Sequence, residues 1–338
     1  MITKHPLISV IIPVYNAGSH LERCVNSLLN QTLSSLEFIF ILDCPTDGSD
    51  LYIKEIAKKD PRVVVIENKI NLHVGISRNI GLAYAQGEYI GFSDHDDWQD
   101  LEKYEKLYNA AKTASADIAM GVPCYVDETT GINYNYYYPN VSEDLLLHRL
   151  RELIIGDNLD SSEWNFYKSH GVIWDKIYKR DFLIKNRIQF LDTKVATYED
   201  NMFLIEALQK ANKITYLNEI VYFHRCGLDN TSSTYGYSEL SKVVKYLKTL
   251  HKVIPSDDIG LQHRFYNSVI SYITYSLTLE FRQKKNIPLL LRIIWKLRSE
   301  PIVKQAFKTN FQYLNRAGSF SFFGKIKNIC IRTLITIL

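Results

Sequence analysis

Asp94-His95-Asp96-Asp97 puts three carboxylates into four residues, directly after the apolar run Glu88 to Phe92. Like charges crowded at a strand end repel one another unless a cation neutralises them. A hard divalent ion such as Mg²⁺ or Mn²⁺ takes one or two carboxylates and completes its shell with phosphate oxygens and water. The pattern therefore predicts a site in which a metal bridges a diphosphate, with acids at i and i+2 dividing the work between ribose and metal. The competing reading is a solvated acidic turn that caps a helix starting near Asp100, and the position after a sheet strand favours the metal.

Other residues could share that chemistry. Asp43 ends a second apolar run and leads into Cys44-Pro45-Thr46-Asp47-Gly48-Ser49. A carboxylate there can accept the N3 hydrogen of uracil or thymine, or it can merely complete an Asx turn, while Asp47 and Ser49 read as turn and cap residues. Asn71, Arg78, Asn79 and Gly81 surround the expected start of a helix, where an arginine can pair with phosphate and the helix end favours anions. Glu199-Asp200-Asn201 opens an amphipathic helix with apolar positions at Phe203, Leu204, Ala207, Leu208 and Ala211. Capping would account for those acids. A transfer from a diphosphate to an acceptor hydroxyl would also need a base on the acceptor side, and a second carboxylate away from the acidic turn suits that role.

The elements that must position these groups follow from periodicity. Runs at Leu7 to Ile12, Glu37 to Leu42, Arg62 to Ile66, Glu88 to Phe92 and Asp117 to Val122 alternate with helical patterns. One such pattern is Leu21, Cys24, Val25, Leu28 and Leu29, and another is Leu101, Tyr104, Leu107, Tyr108 and Ala111. This is the signature of a doubly wound α/β sheet, mostly parallel, in which ligands bind beyond the carboxyl ends of the strands. The organisation expected is a doubly wound half over 1–122, a second half of different character over 123–237 and a basic helical region over 238–338. Tyr134, Tyr136, Tyr137 and Tyr138 give the middle part large aromatics of the kind that stack on sugar rings.

The bulk composition agrees. With 338 residues and 46% hydrophobic content the chain can bury a large core and an appendage. Its five cysteines (Cys24, Cys44, Cys124, Cys226 and Cys330) form neither a CxxC pair nor a disulfide framework, which points to a reducing cytoplasm. The first residues do not read as a signal peptide, and no apolar stretch approaches the roughly 20 residues that span a bilayer. Twelve Lys/Arg lie between Arg282 and Arg332 against one acid, Glu300. In Phe320 to Leu338 apolar residues alternate with Lys325, Asn328 and Arg332, the pattern of an interfacial helix on an anionic membrane. Packing on its own domain, or a homo-oligomeric seam, is the alternative. No nucleic-acid module is recognisable, so a nucleic-acid partner is not expected.

Taken together, LISVIIPVYN, FILDCPTDGSD, NLHVGISRNIGLAYAQGEYIGFSDHDDW and YEDNMF resemble the family 2 glycosyltransferases of bacterial surface-polysaccharide synthesis, in order and spacing, over roughly residues 7 to 235. The resemblance implies a GT-A fold, an inverting displacement, a nucleotide-sugar donor and a glycan or lipid-linked glycan acceptor. It further implies that Pro13, Val14, Tyr15, Asn16 and Asp43 hold base and ribose. Asp94 would approach ribose or metal, Asp96 would be the chief ligand of Mn²⁺ or Mg²⁺, Asp200 the general base and Glu199 its support. Trp174 and Lys176 match a W-x-K segment facing the donor or acceptor groove, and His224 and Arg225 lie where related chains close over the leaving diphosphate. Two departures stand out: Asp43-Cys44-Pro45 replaces an acidic-Gly-Ser turn, and His73 lies near the place of a displaced glycine. A dehydrogenase or nucleotidyltransferase on a similar sheet would need a glycine-rich phosphate turn that PVYN does not provide. A non-catalytic sugar-binding protein would not require both Asp96 and Asp200.

Overall fold

The computed structural model describes residues 5–155, 171–194, 198–226, 240–284, 287–297 and 299–309. The expected interfacial helix over Phe320 to Leu338, the proposed boundary at 237/238 and Cys330 lie outside them. Strand β1 (Ile8–Val14) is buried at every position. It runs parallel to β2 (Leu36–Leu42) on one side and to β4 (Tyr89–Phe92) on the other, with β3 (Val63–Glu67) beyond β2. Phe38, Ile39, Phe40 and Ile41 are all solvent-inaccessible, as expected where helices cover both faces of a parallel sheet. Helices α1 (Leu21–Leu29), α2 (Ser49–Ala57), α3 (His73–Tyr84) and α4 (Lys103–Ala114) make the crossovers and cover the sheet. Cys24, Val25 and Leu28 of α1 and Tyr104, Leu107 and Ala111 of α4 share one core with Val10 and Ile12.

The chain leaves β1 toward β2 and returns to its opposite side as β4. That reversal is a topological switch point, and in such sheets ligands bind beyond the carboxyl ends of the flanking strands, here β1 and β4.

Beyond β4 the sheet is mixed. Strand β8 (Lys176–Lys179) lies antiparallel between β4 and β6 (Ile118–Asp127), and β9 (Ile214–Cys226) runs parallel to β6. Short β7 (Asn133–Asn135) edges β6, while β5 (Trp98–Gln99) pairs with β9 in the register Trp98 to Phe223 and Gln99 to Tyr222. This last pairing lays Tyr222 to Arg225 alongside the acidic turn that follows β4. Helices α5 (Glu143–Ile155), α6 (Arg180–Lys185) and α7 (Glu199–Lys210) complete this part.

The chain divides into two compact units, one containing the sheet and its helices, with α5 up to Leu150, the other the end of α5 from Arg151 and the helices from Leu240 onward. In the second, α8 (Leu240–Val253), α9 (Ile259–Lys284), α10 (Ile287–Leu297) and α11 (Pro301–Thr309) bury Leu247, Phe265, Val269, Ile273 and Val303. No helix among the described residues is long and apolar enough to cross a membrane.

Candidate active site

The turn after β1 separates its four residues sharply. Pro13 and Val14 are buried in the strand, so they act through backbone: the Val14 carbonyl accepts from Asp43 N at 2.9 Å and the Pro13 carbonyl lies 3.0 Å from His95 Nδ1. Tyr15 is 48% exposed, and Asn16, at φ 48°, accepts from the Thr46 N–H at 2.7 Å. Asparagine tolerates this left-handed conformation, and its side chain ties the turn after β1 to the turn after β2.

Asp43 is only 3% exposed, and its Oδ1 accepts from Asn68 Nδ2 at 2.7 Å and Leu72 N at 2.8 Å. Asn71 Nδ2 reaches the Asp43 carbonyl at 3.4 Å. The carboxylate is therefore oriented by its neighbours at the carboxyl end of β2. Cys44 and His73, the two departures from the family pattern, have φ of 59° and 65°, so both occupy the left-handed region that favours glycine.

Helix α3 begins at His73, so Arg78, Asn79 and Gly81 sit within its body, not at its amino end as the sequence suggests. The helix-end field falls off within a turn, so it does not act at Arg78. Gly75, Arg78 and Gly81 share the inward face, three residues apart. A Cβ on Gly81 would lie 2.4 Å from Ile11 Cγ2, so the glycine lets α3 settle onto β1 and carries Arg78 inward. Asn79 exchanges two hydrogen bonds with the Phe190 backbone, each 2.8 Å.

Arg78, with a side chain 5% exposed, donates to Asp94 Oδ1 at 2.8 Å and to Glu199 Oε1 at 3.1 Å. One buried cation thus joins the acidic turn to the first residue of α7. Glu199 is pushed up to about 7 by burial and by the charge of Asp200, against the pull of Arg78. Burial also raises Asp200, opposed by Arg78 and by the Asn201 N–H, which donates to its Oδ1 at 2.7 Å.

Within the acidic turn each carboxylate has a different fate. Asp94 and Asp96 keep side-chain exposures of 29% and 24%, and Asp96 Oδ2 lies 3.3 Å from Arg225 Nη2. Asp97 is fully buried and accepts from the Tyr222 hydroxyl at 2.7 Å, the Arg225 N–H at 2.8 Å and His224 Nδ1 at 3.0 Å. Burial lowers His224, but the Asp97 charge outweighs it and raises the imidazole overall. The Tyr222 hydroxyl also accepts from Asp94 N at 3.1 Å. Asp97 and Tyr222 therefore hold the turn in shape. The sequence marks Asp97 as one acid of a cluster, and nothing in an apolar strand pattern marks Tyr222.

Trp174 stacks on Tyr222 and His224 at 4.1 and 5.2 Å between centroids. Lys176 is 1% exposed and its ammonium binds Asp175 Oδ1 at 2.6 Å and the Val172 carbonyl at 2.8 Å, inside the protein and not on the groove. Among the described residues no group of three or more His, Cys, Asp or Glu side chains is arranged to hold a metal alone. Asp94 and Asp96 offer two partly exposed hard-oxygen donors, a set that suits Mg²⁺ or Mn²⁺ sharing its shell with phosphate.

A GT-A sheet whose switch point carries an acidic turn, joined through Arg78 to an acidic helix start, defines the class. The profile of Glycosyl transferase family 2 matches residues 9–187, and the chain belongs to that family. It is 29% identical over 220 residues to an uncharacterized glycosyltransferase, EpsJ, of Bacillus subtilis (strain 168), a match taking in 65% of this chain and 61% of that protein. In structure it resembles Staphylococcus aureus TarS 1-349 in complex with UDP, at TM-score 0.65 and 18% identity over 98% of this chain and 89% of the other. It also resembles the mannosyltransferase PcManGT of Pyrobaculum calidifontis in complex with GDP-Man and Mn²⁺, at TM-score 0.53 and 13% identity over 99% and 87%.

Proposed function

We propose that the chain is a metal-dependent, inverting glycosyltransferase of the hexosyl or N-acetylhexosaminyl type. It moves a sugar from a UDP-linked donor to an acceptor hydroxyl in surface-polysaccharide or lipid-linked oligosaccharide synthesis. The observation that carries this reading is the Arg78 bridge, which gathers Asp94 on the donor side and Glu199, beside Asp200, on the acceptor side. The nucleotides held by TarS and PcManGT, and the Mn²⁺ of the latter, support a nucleoside diphosphate donor and a divalent cation.

Tyr15 and Asn16 receive base and ribose, with Pro13 and Val14 shaping their turn and Asn71 closing it. Asp43, with Oδ1 held by Asn68 and Leu72, accepts the N3 hydrogen of uracil through its other oxygen. Asp96 and Asp94 hold Mn²⁺ or Mg²⁺, which when bound offsets the charge that builds on the departing diphosphate. Asp200 takes the acceptor hydroxyl's proton as its oxygen attacks the anomeric carbon and the bond to the diphosphate breaks. Glu199 supports Asp200, and Arg78 holds both acidic segments in reach. His224 and Arg225 face the leaving group, and Trp174 backs His224. Lys176 contributes by fixing the Trp174 segment through Asp175. The enzyme works in the cytoplasm, as a nucleotide-binding half over 1–122, an acceptor half over 123–237 and a helical region over 238–338 that rests on the inner membrane face.

The test is donor turnover by purified protein with Mn²⁺ across UDP-, CDP- and GDP-linked sugars, alongside UDP, CDP and GDP affinities. Turnover confined to UDP-sugars and abolished by Asp96→Ala is expected. Equal binding of the three nucleotides would defeat the uracil role, and full turnover by Asp96→Ala in excess chelator would defeat the metal role.

A further inference from the structure

Lys103 opens helix α4 and is fully buried, with its nitrogen donating to Gln99 Oε1 and to the Trp174 carbonyl, the latter at 2.7 Å. Two routes lead from that nitrogen to the acidic turn. Along one, Gln99 Nε2 donates to Ser93 Oγ at 2.9 Å, and Ser93 Oγ donates to the Asp94 carbonyl at 3.1 Å. Along the other, Trp174 stacks on Tyr222, whose hydroxyl accepts from Asp94 N and donates to Asp97. The nitrogen also lies 4.6 Å from the Tyr222 ring centroid.

We infer that Lys103 is a positioning residue that sets the Asp94–Asp97 turn from beneath, through Gln99 and the Trp174 carbonyl. This rests on the metal role proposed above for Asp94 and Asp96. A buried amine is an expensive filler, since an apolar side chain of similar reach occupies such a site at no desolvation cost. Burial pushes Lys103 down to about 7, yet the neutral amine retains two N–H groups, enough for both bonds. The positioning role therefore does not depend on its charge.

The experiment uses the full chain and three variants, Lys103→Met, Gln99→Leu and the double variant. The double variant removes both ends of the Lys103–Gln99 bond together, leaving the Trp174 carbonyl and Ser93 Oγ without these donors, and thermal unfolding checks that every variant folds. Mn²⁺ binding in the presence of UDP is followed by the electron paramagnetic resonance of the free ion, and metal-free UDP binding by calorimetry. A positioning role predicts that each variant loses Mn²⁺ affinity by about tenfold, the lower end for partners that orient metal ligands. The double variant should lose no more than Lys103→Met alone, because the lysine change already cuts both routes and Gln99→Leu cuts one of them. Metal-free UDP affinity should stay at the wild-type value. Unchanged Mn²⁺ affinity in the double variant overturns the inference and leaves a purely structural lysine. Tighter Mn²⁺ binding by Lys103→Met also overturns it, in favour of charge repulsion alone. If the wild-type chain with UDP takes up no Mn²⁺, the metal role itself fails and the inference falls with it.

Discussion

Asp200 and Glu199 share a buried helix start with one arginine, and burial raises both carboxyls. A general base works deprotonated and burial raises the Asp200 carboxyl, so the acid-side loss of transfer should lie above the ordinary carboxylate range. The acid limb of a kcat/KM profile measures this, and a flat profile down to pH 5 would place the base elsewhere. Asp200→Asn should keep UDP affinity and lose transfer by roughly 10²- to 10⁴-fold, the range for general base catalysis. Calorimetry with UDP and single-turnover transfer separate the two effects, and normal transfer would remove Asp200 from the mechanism. The identity of the candidates was legible in short motifs, because acids cluster at one apolar strand end and at the start of one amphipathic helix. Their division of labour was not: three neighbouring aspartates become one buried anchor and two partly exposed donors only when β9 supplies Tyr222, His224 and Arg225.

At the scale of the element, α3 shows how one glycine places a charged side chain. Gly81→Ala would press Cβ against Ile11, which is β-branched, buried and unable to rotate away. Overpacking of this kind costs about 1–3 kcal/mol and would shift Arg78 away from β1. Chemical denaturation should show the loss of stability, and transfer should fall with it. Wild-type stability and activity would mean that α3 is not seated against β1 in this way. His73→Gly acts in the opposite sense, relieving a left-handed backbone at the start of the same helix by about 1 kcal/mol. A midpoint in urea no higher than wild type would count against that strain. Strands β1 to β4 and β6 were legible from apolar runs, whereas β5 was not, since two residues carry no period. Yet β5 fixes the register that brings β9 to the acidic turn.

Across the whole molecule, Lys103 couples the site to stability. Its folded value of about 7 lies below its ordinary 10.5, so between those values the unfolded chain binds more protons and stability rises with pH. The melting temperature of Lys103→Met relative to wild type should therefore be higher at pH 6 than at pH 10, on top of a pH-independent cost for the two acceptors it leaves unpaired. A gap independent of pH would show that Lys103 does not titrate in this way. The basic stretch from Arg282 to Arg332 supports a second prediction, that the full chain co-sediments with anionic vesicles at low salt and a chain ending near Gly318 does so less. Equal sedimentation of both would remove the membrane role. Residue types and their order alone determined the fold class, the acidic turn and the acidic helix start, because apolar periodicity and charge at strand ends are local properties. Only the tertiary structure decided that Arg78 binds carboxylates, that Lys176 lies in the interior and that Lys103 sits beneath the turn. Each depends on which distant backbone segment closes over the side chain, and burial and partnering of a charge are set by that packing and not by its neighbours in the chain.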